Sequence, residues 1–371
     1  MKRSFLLVLL LSCFYEMQGQ ITNIGLDPLL FPNGEKVSIE KWKMKRWPEI
    51  HAFFTREVFG KAPTFYEQIM YRILEDDKPV FDNEAIRKQV RIYWNGTETG
   101  RYADLFIYTP AHQQEKIPLF LGFSLPKVSV AKEILQNGYG IAVINAGEIS
   151  PDKDNEFSVG VRGSYMEFQK GNDNWGTISA WAWGLSRAMD YIVTDPLINS
   201  EKVAVFGFSR LGKAALWAGA TDRRFAAIIS QLSGAGGAKL FRHPGGESIE
   251  HLVTAFPHWF CRNFKQYSGR EAELPFDQHE MMSLIAPRIL YVSSADKDSN
   301  SDPEGEFLGI KATCPVYHLF GIQTSLPDKL PEINTPAGLG TPVGYHIRSG
   351  KHDVTPYDWE CYIRFLNQLW K

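Results

Sequence analysis

The sequence predicts an α/β fold: a mostly parallel central sheet flanked by helices, with an antiparallel hairpin towards the N-terminal end. Three observations carry this. Short apolar runs, such as PLFLGF at 118–123 and the β-branched-rich VAVF at 203–206, alternate with stretches of helical periodicity, as buried parallel strands do between crossover helices. The segment 90–108, VRIYWNGTETGRYADLFIY, instead sets two β-prone runs about an Asn95-Gly96 turn signal. Finally, 371 residues with 44% hydrophobic and 13% aromatic content suffice for a large core. The net charge is only -2, and no basic patch argues for nucleic acid.

Taken in order, residues 1–19 read as a secretory signal, with Lys2 and Arg3 before an apolar run from Phe5 to Leu11 that is too short to span a bilayer. The expected product is exported and soluble. The alternative is a lipoprotein acylated at Cys13, which Leu11 disfavours in the box Leu10-Leu11-Ser12-Cys13. Residues 20–371 carry no repeat, linker or further membrane-length apolar stretch, so they read as one domain, expected to be monomeric. Cys261, Cys314 and Cys361 form no CxxC pattern and are expected to be buried free thiols.

Trp42 to Phe59 spaces its apolar residues helically and stops at Gly60, which predicts an amphipathic helix packed on the main sheet. The 90–108 hairpin should form an antiparallel edge. Strands follow at 118–123 and 139–146 with a helix at 130–137 between them, then a wholly buried helix at 175–193 closed by Pro196. Further strands are expected at 225–231, 288–295 and 343–347, and an amphipathic helix ends the chain. Residues 147–174 and 240–287 leave this alternation, as insertions that wall a cleft do.

Chemistry concentrates in VAVFGFSRLGKAAL, 203–216, where a strand, a sharp turn and a helix share Ser209 at the corner. Such a corner lifts a hydroxyl to the N-terminus of a helix, where unpaired N–H groups and the dipole favour an oxyanion. The spacing is Gly-x-Ser-x-x-Gly, and Gly207 meets the steric demand of the turn. Ser209 is the candidate nucleophile; the plainer alternative is a serine that only caps the helix 210–222. A serine needs a base held by a carboxylate, and in α/β-hydrolases the chain order is Ser, acid, His. His352, in SGKHD after the last strand, is the candidate base. Asp298, three residues beyond the 288–295 strand, is the preferred acid, and Asp296 the alternative; Asp302, before Pro303, reads as a helix cap. The backbone N–H of Arg210 is the expected oxyanion donor, and Lys213, one helical turn beyond Ser209, reaches the same cleft.

GFSRLGKAALWAGATDRRF resembles the glucuronoyl esterases, the fifteenth carbohydrate esterase family. WGTISAWAWGLSRAMDYIVTDP before it and LPFDQHEMMSLIAPR, SDPEGEF and GYHIRSGKHDVTPYDW after it carry the same resemblance. It extends over about residues 40 to 371. It implies an α/β-hydrolase fold, no metal or other cofactor, and hydrolysis of esters on the glucuronic or 4-O-methylglucuronic acid branches of xylan, with lignin as the alcohol side. By the same resemblance the side chain of Arg210 joins the oxyanion hole, while Lys213 and Glu247 bind sugar hydroxyls. Read without it, Glu247 equally suits the first turn of a helix. Three positions depart from the family pattern. Leu232-Ser233-Gly234 stands where many members carry an acidic Glu-Ser-Gly, Asn300 stands for a sugar-contacting tryptophan, and SLPKV replaces an Asn-x-x-Gly-Asn-type rim loop. Esterases acting on another sugar ester, such as an acetylated glycan, and a weakly active binding remnant are the competing readings.

Overall fold

A computed structural model of the chain describes residues 26–64 and 69–370, so the expected signal segment and Cys13 lie outside the described residues. Among the described residues, one nine-stranded sheet runs in the order β1-β2-β3-β5-β4-β6-β7-β8-β9. The strands are β1 (Met70–Val80), β2 (Ala85–Tyr93), β3 (Tyr102–Pro110), β4 (Ile117–Gly122), β5 (Gly140–Ile144), β6 (Ile198–Phe208), β7 (Ala227–Gln231), β8 (Ile289–Ala295) and β9 (Val343–Arg348). The first three pair antiparallel, as do β3 and β5. From β5 through β4 and β6 to β9 every pairing is parallel.

Six helices matter for the site: α1 (Trp47–Phe54), α2 (Val128–Gln136), α3 (Thr177–Ile192), α4 (Arg210–Thr221), α5 (Pro303–Lys311) and α6 (Pro356–Trp370). Two buried clusters lie on the two faces of the sheet. One gathers α1, α3, α4 and both long excursions; the other gathers α2 and α6 around Phe120, Phe206 and Tyr291. In α3 every residue except Asp190 is buried, which accounts for its unbroken Trp, Ala, Leu and Met content. Cys261, Cys314 and Cys361 are free and buried.

The structure revises two expectations. The 90–108 hairpin is not the sheet edge, because β3 pairs inward with β5 and the outer position belongs to β1. The sequence of β1, MYRILEDDKPV, lacks period-2 alternation and contains Pro79, because an edge strand exposed along most of its length has no face to bury. Tyr93 also pairs with Tyr102, so Asn95-Gly96 lies within a longer connection and not in a two-residue turn. The Trp42–Phe59 run is helical throughout but has π-helical turns at Trp42–Arg46 and Thr55–Phe59 flanking α1. It reaches the sheet through the helical layer: Phe59 stacks on Trp217 of α4 at 4.3 Å, and Phe54 meets Phe276 edge-on. Gly60 ends it at φ 84, where a Cβ would lie 2.0 Å from the Asn174 carbonyl oxygen.

Candidate active site

The corner between β6 and α4 has the geometry the sequence predicts. Ser209 sits at φ 58 and ψ -129, a conformation that side-chain-bearing residues rarely adopt. Its own N–H donates to the Gln231 carbonyl at 2.8 Å, which ties the turn to β7. A Cβ on Gly207 would lie 2.0 Å from the Leu211 carbonyl oxygen, so only glycine lets the chain double back here. Ser209 makes no capping bond through its side chain, so the reading of a simple helix cap finds no support.

Asp298 and His352 meet at the carboxyl edge of the sheet. Asp298 Oδ2 accepts from His352 Nδ1 at 2.6 Å and from the Ser301 hydroxyl at 2.6 Å. Burial alone would raise the Asp298 carboxyl, but the hydrogen bonds from His352 and Ser301 outweigh it and hold the pKa below the usual carboxylate range. The imidazole packs 4.6 Å from the ring of Phe208, the residue before Ser209. Asp296 is engaged elsewhere, since its Oδ1 accepts from the Gly350 N–H at 2.7 Å and shapes the histidine loop. Asp302 caps α5, accepting from the Gly305 N–H at 3.1 Å with Pro303 in the first turn, as its sequence context predicts.

Arg210 and Lys213 diverge from α4. The Arg210 guanidinium pairs with Asp152 and lies 5.0 Å from the Trp259 ring centroid, Trp259 being stacked on Phe256 at 3.8 Å. Asp152 also accepts from His258 Nε2 at 2.9 Å and Trp259 Nε1 at 2.7 Å. Burial works against the Asp152 charge, yet these donors bring its pKa down to about 2. Lys213 is only 3% exposed. Its ammonium donates to the carbonyls of Ser233 at 2.6 Å and Ala235 at 2.6 Å, and to Glu247 Oε2 at 3.1 Å. An ammonium has three N–H groups, and this set engages all three. Lys213 therefore fixes Glu247, and Glu247 is the partly exposed member of the pair.

Several residues of the site gave no sequence signal. Glu306 is fully buried under the Leu232–Gly234 turn, where Oε1 accepts from the N–H groups of Ser233 at 2.7 Å and Gly234 at 3.0 Å. Its Oε2 lies 2.6 Å from the Ser294 hydroxyl, and burial pushes its pKa up to about 8. Arg348 pairs with buried Asp358 and donates to the carbonyls of Ser349 at 3.1 Å and Lys351 at 3.0 Å, and to that of Asp353, so it braces the loop on both sides of His352. Asp152 lies in the 147–174 excursion and Trp259 in the 240–287 excursion, so both insertions wall the site. Among the described residues no cluster of three His, Cys, Asp or Glu side chains is arranged to hold a metal ion.

The family model described as "Glucuronyl esterase, fungi" matches residues 95–321. The chain belongs to the glucuronoyl esterase family. It is 38% identical to "Carbohydrate esterase MZ0003" from an unknown prokaryotic organism, over 92% of this chain and 88% of that protein. The solved glucuronoyl esterase from Solibacter usitatus superposes with a TM-score of 0.88 at 37% identity, covering 94% of this chain and 98% of that one. A promiscuous CE15 esterase from a marine bacterial metagenome gives 0.84 at 37% identity, over 95% and 98% of the two chains. This glucuronoyl esterase family member is accordingly a carboxylic ester hydrolase with an α/β-hydrolase sheet. The described residues include no helix long and apolar enough to cross a membrane.

Proposed function

We propose that this family member hydrolyses glucuronoyl esters, with 4-O-methylglucuronic acid branches of xylan as the acyl side, and that it does so after export from the cytoplasm. The observation that carries the proposal is the Asp298–His352 hydrogen bond beside the strained Ser209 corner. His352 Nδ1–H donates to Asp298, which leaves Nε2 to take the Ser209 proton as Oγ attacks the ester carbon. The backbone N–H of Arg210, in the first turn of α4, and the Arg210 guanidinium face the charge that develops on the carbonyl oxygen. His352 then protonates the departing alcohol, and water, activated by the same imidazole, releases the acid. Glu247, held by Lys213, accepts from vicinal sugar hydroxyls.

Supporting relatives include the "4-O-methyl-glucuronoyl methylesterase 1" of Wolfiporia cocos, 30% identical over 55% of this chain and 51% of that protein. A second reading, an esterase of acylated sugars, is favoured by exposed Asn300 at the position of the expected tryptophan. Hydrolysis of methyl and benzyl glucuronate, measured beside acetylated xylan and p-nitrophenyl acetate, separates the two. Turnover confined to the acetyl substrates overturns the uronate assignment. Labelling of Ser209 by a fluorophosphonate tests the nucleophile independently of substrate.

A further inference from the structure

An open groove of about 650 Å³ lies on the carboxyl edge of the sheet, and neither Ser209, Asp298 nor His352 lines it. Asn95, Arg101, Tyr102, Glu148, Val159 and Gly160 do. Tyr102 opens β3, which runs antiparallel to β5, and Glu148 follows the end of β5. Because β5, β4 and β6 are parallel, both residues stand at the edge that carries Ser209. β5 is two strand positions from β6, a lateral distance of about 10 Å. The 147–174 excursion joins the two places, since Asp152, shortly beyond Glu148, pairs with Arg210. A chain held at Ser209 by one branch therefore reaches the groove along a continuous wall.

The side chains of the groove suit hydroxyl groups. Tyr102 remains 39% exposed although the Arg91 guanidinium covers its ring at 3.7 Å. Arg91 is itself fixed by hydrogen bonds to Asp104 at 2.8 and 2.9 Å, so the ring is a braced platform. Among the described residues no hydrogen bond or ion pair engages the Arg101 guanidinium. Gly163 leaves room for it, since a Cβ there would lie 2.8 Å from Arg101 Nε. Glu148 Oε2 accepts from the Asp104 N–H at 2.9 Å, and Oε1 has no partner among the described residues. The groove thus offers unused donors, an unused acceptor and an aromatic ring, which match the hydroxyls and the C–H face of a pyranose. Arg101 and Glu148 balance in charge, so a neutral sugar suits the groove better than a polyanion does.

We infer that this groove is a second glycan subsite, taking the neutral pyranose chain from which the uronate ester branches. The inference deepens the esterase reading above and rests on it. None of the groove residues touches the reacting ester, so the subsite acts on kcat/KM through KM. The test compares kcat/KM for methyl 4-O-methylglucuronate with that for the same ester carried as a branch on a xylo-oligosaccharide, in the wild type, Arg101→Ala and Tyr102→Ala. Both positions are exposed, and melting curves check that the variants fold as the wild type does. Dividing the oligosaccharide value by the monosaccharide value, and then variant by wild type, cancels any change at Ser209. This ratio should fall about tenfold in each variant, through KM. An unchanged ratio, or a fall carried by kcat alone, overturns the inference. If neither ester is turned over, the uronate reading fails by itself, and the groove is then tested by calorimetric titration of unesterified xylo-oligosaccharide into Ser209→Ala. Affinity lost about tenfold on adding Tyr102→Ala supports the subsite. Equal affinity, no binding, or tighter binding of polygalacturonate than of the neutral chain overturns it.

Discussion

Replacing Asp298 by asparagine should remove turnover while sparing the fold. Asp298 is 4% exposed, and the same carboxylate oxygen receives both His352 Nδ1 and the Ser301 hydroxyl. Its depressed pKa means the charge is present through neutral pH and is lost only as pH falls through the folded-state value. Asparagine keeps the shape but offers an amide N–H₂ group to Nδ1. The imidazole then carries its proton on Nε2, the tautomer that cannot take a proton from Ser209. Loss of the orienting carboxylate in this way costs about 10⁴ in kcat, which corresponds to about 5 kcal/mol of transition-state stabilisation. Asp296→Asn keeps an acceptor oxygen for the Gly350 N–H and should change kcat by no more than about twofold. Steady-state kinetics on methyl glucuronate and the rate of fluorophosphonate labelling both read this out. The reasoning is refuted if Asp298→Asn keeps more than about a tenth of wild-type kcat, or if Asp296→Asn is the more damaged of the two.

Three further outcomes follow from the geometry. Ser209→Gly should be more stable in urea than Ser209→Ala by about 1 kcal/mol, since glycine relieves the strain at φ 58 while both variants lose the hydroxyl; equal midpoints would remove the strain argument. Glu306 titrates near 4.5 when unfolded and near 8 when buried, so between these values the folded state holds a proton that the unfolded chain has lost. Stability should therefore fall by about 1.4 kcal/mol per pH unit as pH rises across that window, and Glu306→Gln should flatten the slope; an unaltered slope in the variant argues against it. Arg348→Met leaves Asp358 buried without its guanidinium partner and frees the carbonyls around His352. It should cost about 3–5 kcal/mol and lower kcat as well, and an unchanged melting temperature would contradict that role.

The parallel half of the sheet was legible because each buried strand needs a continuous apolar run and each crossover helix an amphipathic stripe, and both patterns are local. The Ser209 corner was legible for the same reason, since strand, glycine, serine and helix follow one another in the chain. His352 and Asp298 were singled out from chain order and loop position, without their hydrogen bond being visible. The antiparallel edge was read less well: β1 buries little on either side, and nothing in MYRILEDDKPV distinguishes it from a charged loop. Lys213 shows the same limit at the site. Helical spacing placed it near the cleft, but nothing in that spacing revealed that two carbonyls and Glu247 would take all its donors.

The sequence by itself determined which residue types stand at the turn, after β8 and after β9, because each lies next to a local signal for a strand end. Only the tertiary structure decided which carboxylate faces the imidazole, which one supports the Leu232–Gly234 turn from beneath, and how Arg348 braces the histidine loop. Those assignments depend on distances between residues tens to hundreds of positions apart. Such distances are set by how the sheet twists and how helices pack on it, and no single stretch of chain encodes them.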